Sequence, residues 1–237
     1  DLRNAPVTYL LARKMRRGMP RDGSNTRRVE RMARVLDLPA PPAPRLWVGA
    51  ADTKLAETLI PDGGPVLAVG PTANWRAKTW RAENFAALIE RLTGPNGILP
   101  GARVAVFGRD DERPMALRLI DAIPPARRID LVGELDLLTV SACLARCAFY
   151  VGNDSGLMHL AAASGVPTLG LFGPTQEALY APWGEHTGIV RTSIPFAEIF
   201  PKEFDHRTSD SLMDSLSVEA AEEGAIDLWR RSRTEAA

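Results

Sequence analysis

The sequence is poor in cysteine and in long apolar runs, and each shortage excludes a class of protein. Cys143 and Cys147 are its two cysteines, which excludes a disulfide-rich secreted scaffold. They lie four residues apart in a stretch that predicts a helix, and no histidine or second cysteine pair accompanies them, so we expect reduced core thiols rather than a metal site. No apolar run approaches the roughly 20 residues that span a bilayer, and no secretory signal pattern is present, so we expect a cytoplasmic protein.

The chain also lacks an excess of charge of either sign. Its 29 basic residues balance 29 acidic residues, so no global field favours nucleic acid or an anionic membrane. Residues 13–34 nevertheless carry a local excess of arginine and lysine. Because this cluster has no interleaved aromatic residues beyond Tyr9, a nucleic-acid partner is not expected. Contact with the anionic inner face of a membrane is the better hypothesis for the cluster.

What the chain does have is enough apolar residues, 45% of 237, to bury one large core or two small ones. A proline-rich stretch at residues 39–44 predicts a semi-rigid connector and the best boundary in the chain. Before it, the sequence predicts a helix that is capped by Asn25 or Thr26 and runs to about Asp37. The expected apolar face of that helix comprises Val29, Met32, Ala33 and Leu36.

Beyond the connector, short apolar runs alternate regularly with helical patterns. Strands are predicted at Pro65–Val69, Arg103–Phe107, Ile129–Val132, Phe149–Val151, Thr168–Phe172 and Gly188–Arg191. Helices are predicted near Ala82–Leu92, Asp111–Ala122, Leu137–Cys147, Leu157–Ser164 and Gln176–Tyr180. Apolar strands without strict alternation indicate burial on both faces, as in a mostly parallel sheet covered by helices. The sequence therefore predicts an α/β, Rossmann-like, doubly wound domain, in which ligands bind beyond the carboxyl ends of the strands.

The most informative stretch, residues 150–163, predicts a strand, a polar turn framed by two glycines, and a helix of small residues. A helix that starts there directs its unpaired N–H groups and its positive dipole end at an anionic ligand. Asp154 and Ser155 are also good caps for a helix without any ligand, so that interpretation stays open. His159 lies one turn into the helix, on the face that Ser155 shares.

The loops after the other strands carry further candidates. After the first strand, Thr72 and Asn74 offer neutral hydrogen bonds, and Lys78 offers the positive charge that a phosphate requires, although an ordinary surface lysine is the alternative. After the second strand, Asp111 and Glu112 open a helix. A single carboxylate that accepts ribose hydroxyls is more plausible there than a metal site, because acidic residues also favour a first helical turn without any ligand.

Several of these motifs together resemble glycosyltransferase family 9, the ADP-heptose:lipopolysaccharide heptosyltransferases and their relatives. The motifs are Gly70…Asn74…Lys78-x-Trp80, Gly133-x-Leu135-x-Leu137, the run from Gly152 to Ala163, and Phe172-Gly173-Pro174-Thr175. They agree in order and spacing over roughly residues 60–235. The resemblance implies a two-domain GT-B fold, of which this chain would be the C-terminal half. Residues 49–237 would be the nucleotide-sugar-binding domain with its return helix, and residues 1–48 a remnant of the preceding domain with the linker.

The resemblance implies a role for each candidate residue. The catalytic candidates are Lys78, which would neutralise the donor diphosphate, and Asp154 and His159, which would hold the diphosphate and the sugar. The donor-binding candidates are Asn74 and Thr72 in the phosphate loop, Asp111 or Glu112 at the ribose, Leu135 at the adenine, and Ser155, Gly156 and Leu157 at the helix start. No metal or other cofactor is expected. Two departures, Arg81 where the family usually has proline and Asn74 where it commonly has a hydroxyl, predict a reshaped phosphate loop.

The function that the resemblance implies is inverting, metal-independent transfer of a sugar from ADP-heptose, or a related nucleotide sugar, to a lipopolysaccharide-core acceptor. Because the chain starts with Asp1 and without a βα unit, we expect a piece of a longer protein, whose missing N-terminal domain would bind the acceptor and supply the base. The alternatives are a nucleotide-binding module without transferase activity and a GT-B-type sugar-nucleotide epimerase.

Near the end of the chain, Ser217 is the expected cap of a last helix that resembles the return helix of the family.

Overall fold

The computed structural model describes residues 26–205 and 208–234. The chain divides into two compact units, residues 1–42 and residues 43–237. The described part of the first unit contains one helix, α1 (Arg28–Val35). Most of the basic cluster that was expected at a membrane surface, including Arg13, Lys14, Arg16 and Arg17, lies outside the described residues.

Helix α1 differs from its prediction at its start and on its apolar face. The residue that precedes the helix is Arg27, so the predicted cap at Thr26 is wrong, and the alternative cap, Asn25, lies outside the described residues. Ala33 is buried as expected, but Met32 and Leu36 are 55% and 59% exposed. Leu36 follows the last helical residue, where the chain leaves the helix and no longer continues its apolar face.

The second unit is a parallel sheet of six strands with helices on both faces. Its strands are β1 (Val66–Gly70), β2 (Arg103–Gly108), β3 (Arg128–Val132), β4 (Phe149–Asn153), β5 (Thr168–Phe172) and β6 (Thr187–Arg191). Its helices are α2 (Ala50–Leu59), α3 (Ala82–Thr93), α4 (Arg113–Ala122), α5 (Leu137–Ala145), α6 (Gly156–Ala163), α7 (Glu177–Tyr180) and α8 (Val218–Thr234). The strand order is β3-β2-β1-β4-β5-β6, and every pair is parallel.

Burial on both faces explains why the strands read as continuous apolar runs. Every residue of β1, β4 and β5 is buried, and the predicted strands and helices of this unit lie within a few residues of the observed ones. Helix α2 was not predicted, since Ala56 is its one buried residue and its sequence shows no apolar stripe. Helix α2 packs on the core through Ala56 and Leu59, and a hydrogen bond from the Thr139 hydroxyl of α5 to Asp52, at 2.8 Å, adds to this contact.

The two faces of the sheet bury separate cores. One core gathers residues of α3, α4 and α8, including Phe85 and Leu228, together with Trp80 of the loop before α3. The other gathers residues of α2, α5 and α6, including the two cysteines. Both thiols are buried and free, as predicted, and burial raises the pKa of Cys143 to about 11 and that of Cys147 to about 12.

The connections leave β1 and β4 side by side at the centre of the sheet. From β1 the chain continues outward to β2 and β3, and from β4 it continues in the opposite direction to β5 and β6. The crevice beyond the carboxyl ends of β1 and β4 is therefore the topological switch point, where ligands bind in such sheets.

The last helix, α8, starts where the sequence predicted. The Ser217 hydroxyl accepts a hydrogen bond from the backbone N–H of Ala220 at 3.1 Å, which confirms the predicted cap. No helix in the described ranges, α8 included, combines the length and the apolarity of a membrane span.

Candidate functional site

The switch point brings together Lys78 and Asp154. Lys78 ends a short 3₁₀ helix, Arg76–Lys78, in the loop after β1, and Asp154 directly follows β4. The Lys78 Nζ lies 3.1 Å from Asp154 Oδ2, and the two side chains are only 12% and 8% exposed. Removing one partner would leave a charge that is shielded from water and uncompensated. The pair is therefore a fixed, mutually dependent part of this edge of the sheet.

Asn153, the last residue of β4, fixes the loop that carries Lys78. Its side chain is fully buried. The amide nitrogen donates to the backbone oxygen of Pro71 at 2.8 Å, and the amide oxygen accepts from the backbone N–H of Trp80 at 3.1 Å. One side chain thus holds both ends of the 71–80 loop. This role of Asn153 was not predicted, although an amide at the end of a buried strand was a usable signal.

Tyr150 of β4 fills the space between the ends of β1 and β4. Its ring is completely buried. A Cβ atom at Gly70 would lie 2.1 Å from the Tyr150 hydroxyl oxygen, and one at Gly152 would lie 2.3 Å from it. The close approach of this hydroxyl, rather than an unusual backbone angle, therefore requires glycine at both positions.

The hydroxyls of Tyr150, on β4, and of Ser155, directly after Asp154, are both buried. Neither Tyr150 Oη nor Ser155 Oγ has a hydrogen-bond partner of good geometry among the described residues. Burial raises the pKa of Tyr150, and an interaction with the Ser155 hydroxyl opposes that rise. The predicted capping residue Ser155 does precede α6, but its side chain makes no capping hydrogen bond to the helix.

His159 lies on the first turns of α6 and is exposed. Partial removal of water nevertheless lowers the pKa of its imidazole below the usual 6.5. The Asp154 carboxylate opposes this shift, and the Lys78 ammonium adds to it. The imidazole therefore responds to both members of the ion pair and favours its neutral form near pH 7.

The two acidic candidates after β2 occupy different environments. Glu112 Oε2 accepts a hydrogen bond from the buried Thr72 hydroxyl at 2.8 Å and another from the backbone N–H of Arg109 at 3.1 Å. Asp111 pairs instead with the Arg109 guanidinium, and both of those side chains are at least 65% exposed. Glu112 is therefore joined to the loop after β1, whereas Asp111 lies in solvent.

The remaining candidates lie along the same edge of the sheet. Asn74 and Gly156 are exposed. The Leu157 side chain covers Gly70, with its Cδ2 atom 3.1 Å from where a Cβ would be, and Leu135 packs against the core on the α5 side. Within the described ranges, no three His, Cys, Asp or Glu side chains are grouped in a way that could hold a metal ion.

Comparison with known proteins decides the family. The model of glycosyltransferase family 9 (heptosyltransferase) matches residues 3–203. The chain belongs to glycosyltransferase family 9. This family 9 chain is 34% identical over 131 residues to lipooligosaccharide heptosyltransferase 2 of Haemophilus influenzae, and the match covers 54% of this chain and 36% of that protein.

Solved structures of family 9 proteins share the fold. A family 9 glycosyltransferase from Veillonella parvula matches with a TM-score of 0.70 and 18% identity, covering 90% of this chain and 62% of that one. The E. coli heptosyltransferase WaaC with ADP matches with a TM-score of 0.58 and 23% identity, covering 84% of this chain and 54% of that one. The predicted fold class is confirmed. The chain spans between about a third and somewhat more than half of the length of these relatives.

Proposed function

We propose that this family 9 chain is the donor-binding part of an inverting glycosyltransferase, which transfers a heptose from an ADP-activated donor to a lipopolysaccharide-core acceptor. The observation that carries the proposal is the buried Lys78–Asp154 pair at the switch point, directly before α6. Family membership supports the reaction class, and the WaaC structure with ADP supports the nucleotide. The acceptor site and the catalytic base would belong to a further domain.

The donor diphosphate would lie between Lys78 and the first turn of α6. The Lys78 ammonium has three N–H donors, of which Asp154 uses one, so two can donate to phosphate oxygens. The unpaired N–H groups at the start of α6 add donors and the positive end of the helix dipole. Asp154 would repel a phosphate, so its proposed role is to hold Lys78 in place and to accept a hydroxyl of the sugar.

The nucleoside would extend from the diphosphate toward β2 and β3. Glu112 is the better candidate for the ribose, because Oε2 takes both of its described hydrogen bonds and Oε1 stays available for a hydroxyl. Thr72 would act by orienting Glu112 rather than by touching the donor. Leu135, at the carboxyl end of β3, would offer an apolar surface to the adenine, and the exposed Asn74 would reach the diphosphate.

The proposed reaction exchanges one bond at the anomeric carbon for another. The acceptor hydroxyl gives its proton to the base, and its oxygen forms a bond to the anomeric carbon. The bond between that carbon and the β-phosphate oxygen breaks, and ADP leaves with the electron pair. Lys78, His159 and the N–H groups of α6 would stabilise the charge that develops on the departing ADP.

Calorimetric titration with ADP, UDP and an ADP-heptose analogue tests the proposal. We expect binding that is selective for adenine and that weakens at least about tenfold in Lys78→Ala and Asp154→Ala, because each change removes or misplaces a charged hydrogen-bond donor. Lys54→Ala, which removes an exposed lysine of α2, is the control and should leave the affinity unchanged. Adenine nucleotide binding that is indifferent to Lys78 would contradict the proposed site.

Two measurements on the same protein distinguish the alternative functions. Equal affinity for ADP and for the ADP-heptose analogue would favour a nucleotide-binding module without transferase activity. Release of free nucleotide from a nucleotide sugar without any acceptor would favour a GT-B-type epimerase.

A membrane partner stays a prediction for the basic cluster of residues 13–34. We expect the chain to bind vesicles that contain anionic lipid, by electrostatic attraction. Binding that persists after Arg13, Lys14, Arg16 and Arg17 are all neutralised would remove this hypothesis.

A further inference from the structure

The loop that carries Lys78 is bonded to a distant part of the chain, the 211–216 segment that leads into α8. Three hydrogen bonds join the segment to residues on both sides of Lys78: Leu212 N to Ala77 O at 2.9 Å, Ser211 Oγ to Thr79 O at 2.7 Å, and Trp80 Nε1 to Leu216 O at 2.9 Å. The backbone of Lys78 is therefore flanked by residues that this segment holds.

An ion pair strengthens the same junction. Arg81, directly before α3, donates from Nε and Nη2 to the two carboxylate oxygens of Asp214 at 2.5 and 2.6 Å. A second carboxylate, Asp210, lies 3.6 Å from Arg81 and 3.0 Å from Arg76 of the short 3₁₀ helix. A two-point arginine–carboxylate contact restricts orientation as well as distance, which a single-point contact does not.

The 211–216 segment is itself anchored to the sheet. Met213 is completely buried, and its sulfur lies 2.4 Å from where a Cβ at Gly173, just after β5, would be. The backbone oxygen of Ser215 accepts from the backbone N–H of Ser193, just after β6, at 3.2 Å. The segment thus connects the ends of β5 and β6 to the loop after β1.

We propose that the 211–216 segment positions Lys78, and that the Arg81–Asp214 pair is the contact that locks it there. The proposal rests on the proposed role of Lys78 toward the diphosphate. A lysine side chain has four rotatable bonds, so its ammonium keeps a fixed place only if its backbone is held. Arg81 and Asp214 are positioning residues, since they act on the donor through Lys78 and not by contact.

The competing explanation is a surface ion pair that contributes only to stability. Arg81 and Asp214 are 44% and 55% exposed, and exposed pairs usually contribute little. The chain offers a matched control for this explanation. Arg91 of α3, 39% exposed, pairs with Glu219 and Glu222 of α8. It joins α3 to the region that follows the segment, without touching the Lys78 loop.

Chemical labelling of lysine amines in the intact chain tests the positioning without any ligand. The readout is the reductive methylation rate of Lys78 relative to that of exposed Lys54, measured by mass spectrometry under native conditions. We expect Arg81→Ala and Asp214→Asn to raise the relative rate of Lys78 about threefold or more, because the freed ammonium gains water and reagent access. Arg91→Ala should leave the ratio unchanged.

Equal effects of Arg81→Ala and Arg91→Ala on the ratio, or no effect of either, would overturn the proposal. A rescue variant distinguishes loss of the ion pair from a general loosening of the fold. In Arg81→Asp/Asp214→Arg the two charges are exchanged, and the methylation rate of Lys78 should return toward that of the unaltered chain. The proposal would also be overturned if this double variant kept the melting temperature of the unaltered chain but its Lys78 methylation rate stayed high.

A second readout uses ADP and separates this proposal from the proposed function. We expect Arg81→Ala to weaken ADP binding about three- to tenfold, less than Lys78→Ala does, and Arg91→Ala to leave it unchanged. If the unaltered chain bound no ADP, the proposed function would lose its support while the labelling ratio still decided the positioning. If ADP binding depended on Lys78 but not on Arg81, the proposed function would stand and the positioning role would fail.

Discussion

Both ends of the central sheet carry cationic side chains, but these side chains have different partners at the two ends. At the carboxyl end, Lys78 is buried against Asp154. At the amino end, Arg103 and Arg146 line an open cleft of about 320 Å³. These arginines donate to backbone oxygens, Arg103 Nη2 to Pro61 O at 2.5 Å and Arg146 Nε to Ile60 O at 2.7 Å.

The difference lies in the partners of the cationic side chains, because the arginines at the amino end already donate to backbone oxygens. Helices α2 and α5 both end at the amino-end cleft, so their carbonyl groups and negative dipole ends face the region that the arginines cap. At the carboxyl end, α6 starts, and its positive end adds to the charge of Lys78. The direction of the neighbouring helices therefore favours an anion at the carboxyl end, in agreement with the proposed diphosphate site.

The largest expected effect concerns the tight packing of the carboxyl end. Gly152→Ala places a Cβ 2.3 Å from the Tyr150 hydroxyl and 2.8 Å from the backbone oxygen of Gly70. Since the backbone of β1 cannot retreat, we expect a loss of about 3 kcal/mol in the free energy of unfolding. Urea denaturation followed by circular dichroism measures it.

The control for Gly152 lies at the same end of the sheet. At Gly133, after β3, a Cβ would meet no described atom within 4 Å, so Gly133→Ala should change stability by less than about 0.5 kcal/mol. Equal losses for the two variants would show that the close packing around Tyr150 has no energetic consequence.

The next effect concerns the loop of Lys78. Asn153→Ala leaves the backbone oxygen of Pro71 and the backbone N–H of Trp80 without their partner in a buried site. We expect a stability loss of about 2 kcal/mol, and faster hydrogen exchange at Trp80. Asn74→Ala, which removes an exposed amide of the same loop, should leave stability and exchange unchanged. A similar loss from both variants would contradict the bridging role of Asn153.

A smaller effect should distinguish the two ends directly. Arg146→Met removes the bond to the Ile60 oxygen and the pair with Asp62, a side chain that is 99% exposed. We expect a stability loss of about 1 kcal/mol and unchanged affinity for ADP, measured by denaturation and by calorimetry. If Arg146→Met weakened ADP binding as much as Lys78→Ala does, the amino end of the sheet would not be purely structural.

The smallest effect is a pH dependence from His159. Because its pKa is lowered in the folded chain, the unfolded chain takes up the proton first as the pH falls. The contribution of His159 to stability is therefore complete above pH 6.5 and decreases as the pH falls from 6.5 toward the lowered value. His159→Gln should remove this part of the pH dependence in denaturation curves between pH 5 and 7.5, and identical curves for both proteins would contradict the shift.

The sequence was informative where a structural feature depends on neighbouring residues. The strands β1, β4 and β5 were predictable because burial on both faces makes them apolar runs. The cap at Ser217 was predictable because its hydrogen bond spans only three residues. Helix α2 was not predictable, since Ala56 is its one buried residue and the hydrogen bond that joins Asp52 to α5 is a tertiary contact.

At the site, the sequence by itself determined which residue types are present and at which strand ends they stand. Lys78, Asp154 and His159 could be placed after β1 and β4 from motif spacing, and their roles stay predictions. Only the tertiary structure decided that Lys78 and Asp154 touch, that Glu112 faces inward while Asp111 faces solvent, and that Arg81 is held by Asp214. These contacts join residues 40 to 133 positions apart, and the strand order of the sheet, which no local pattern encodes, brings them together.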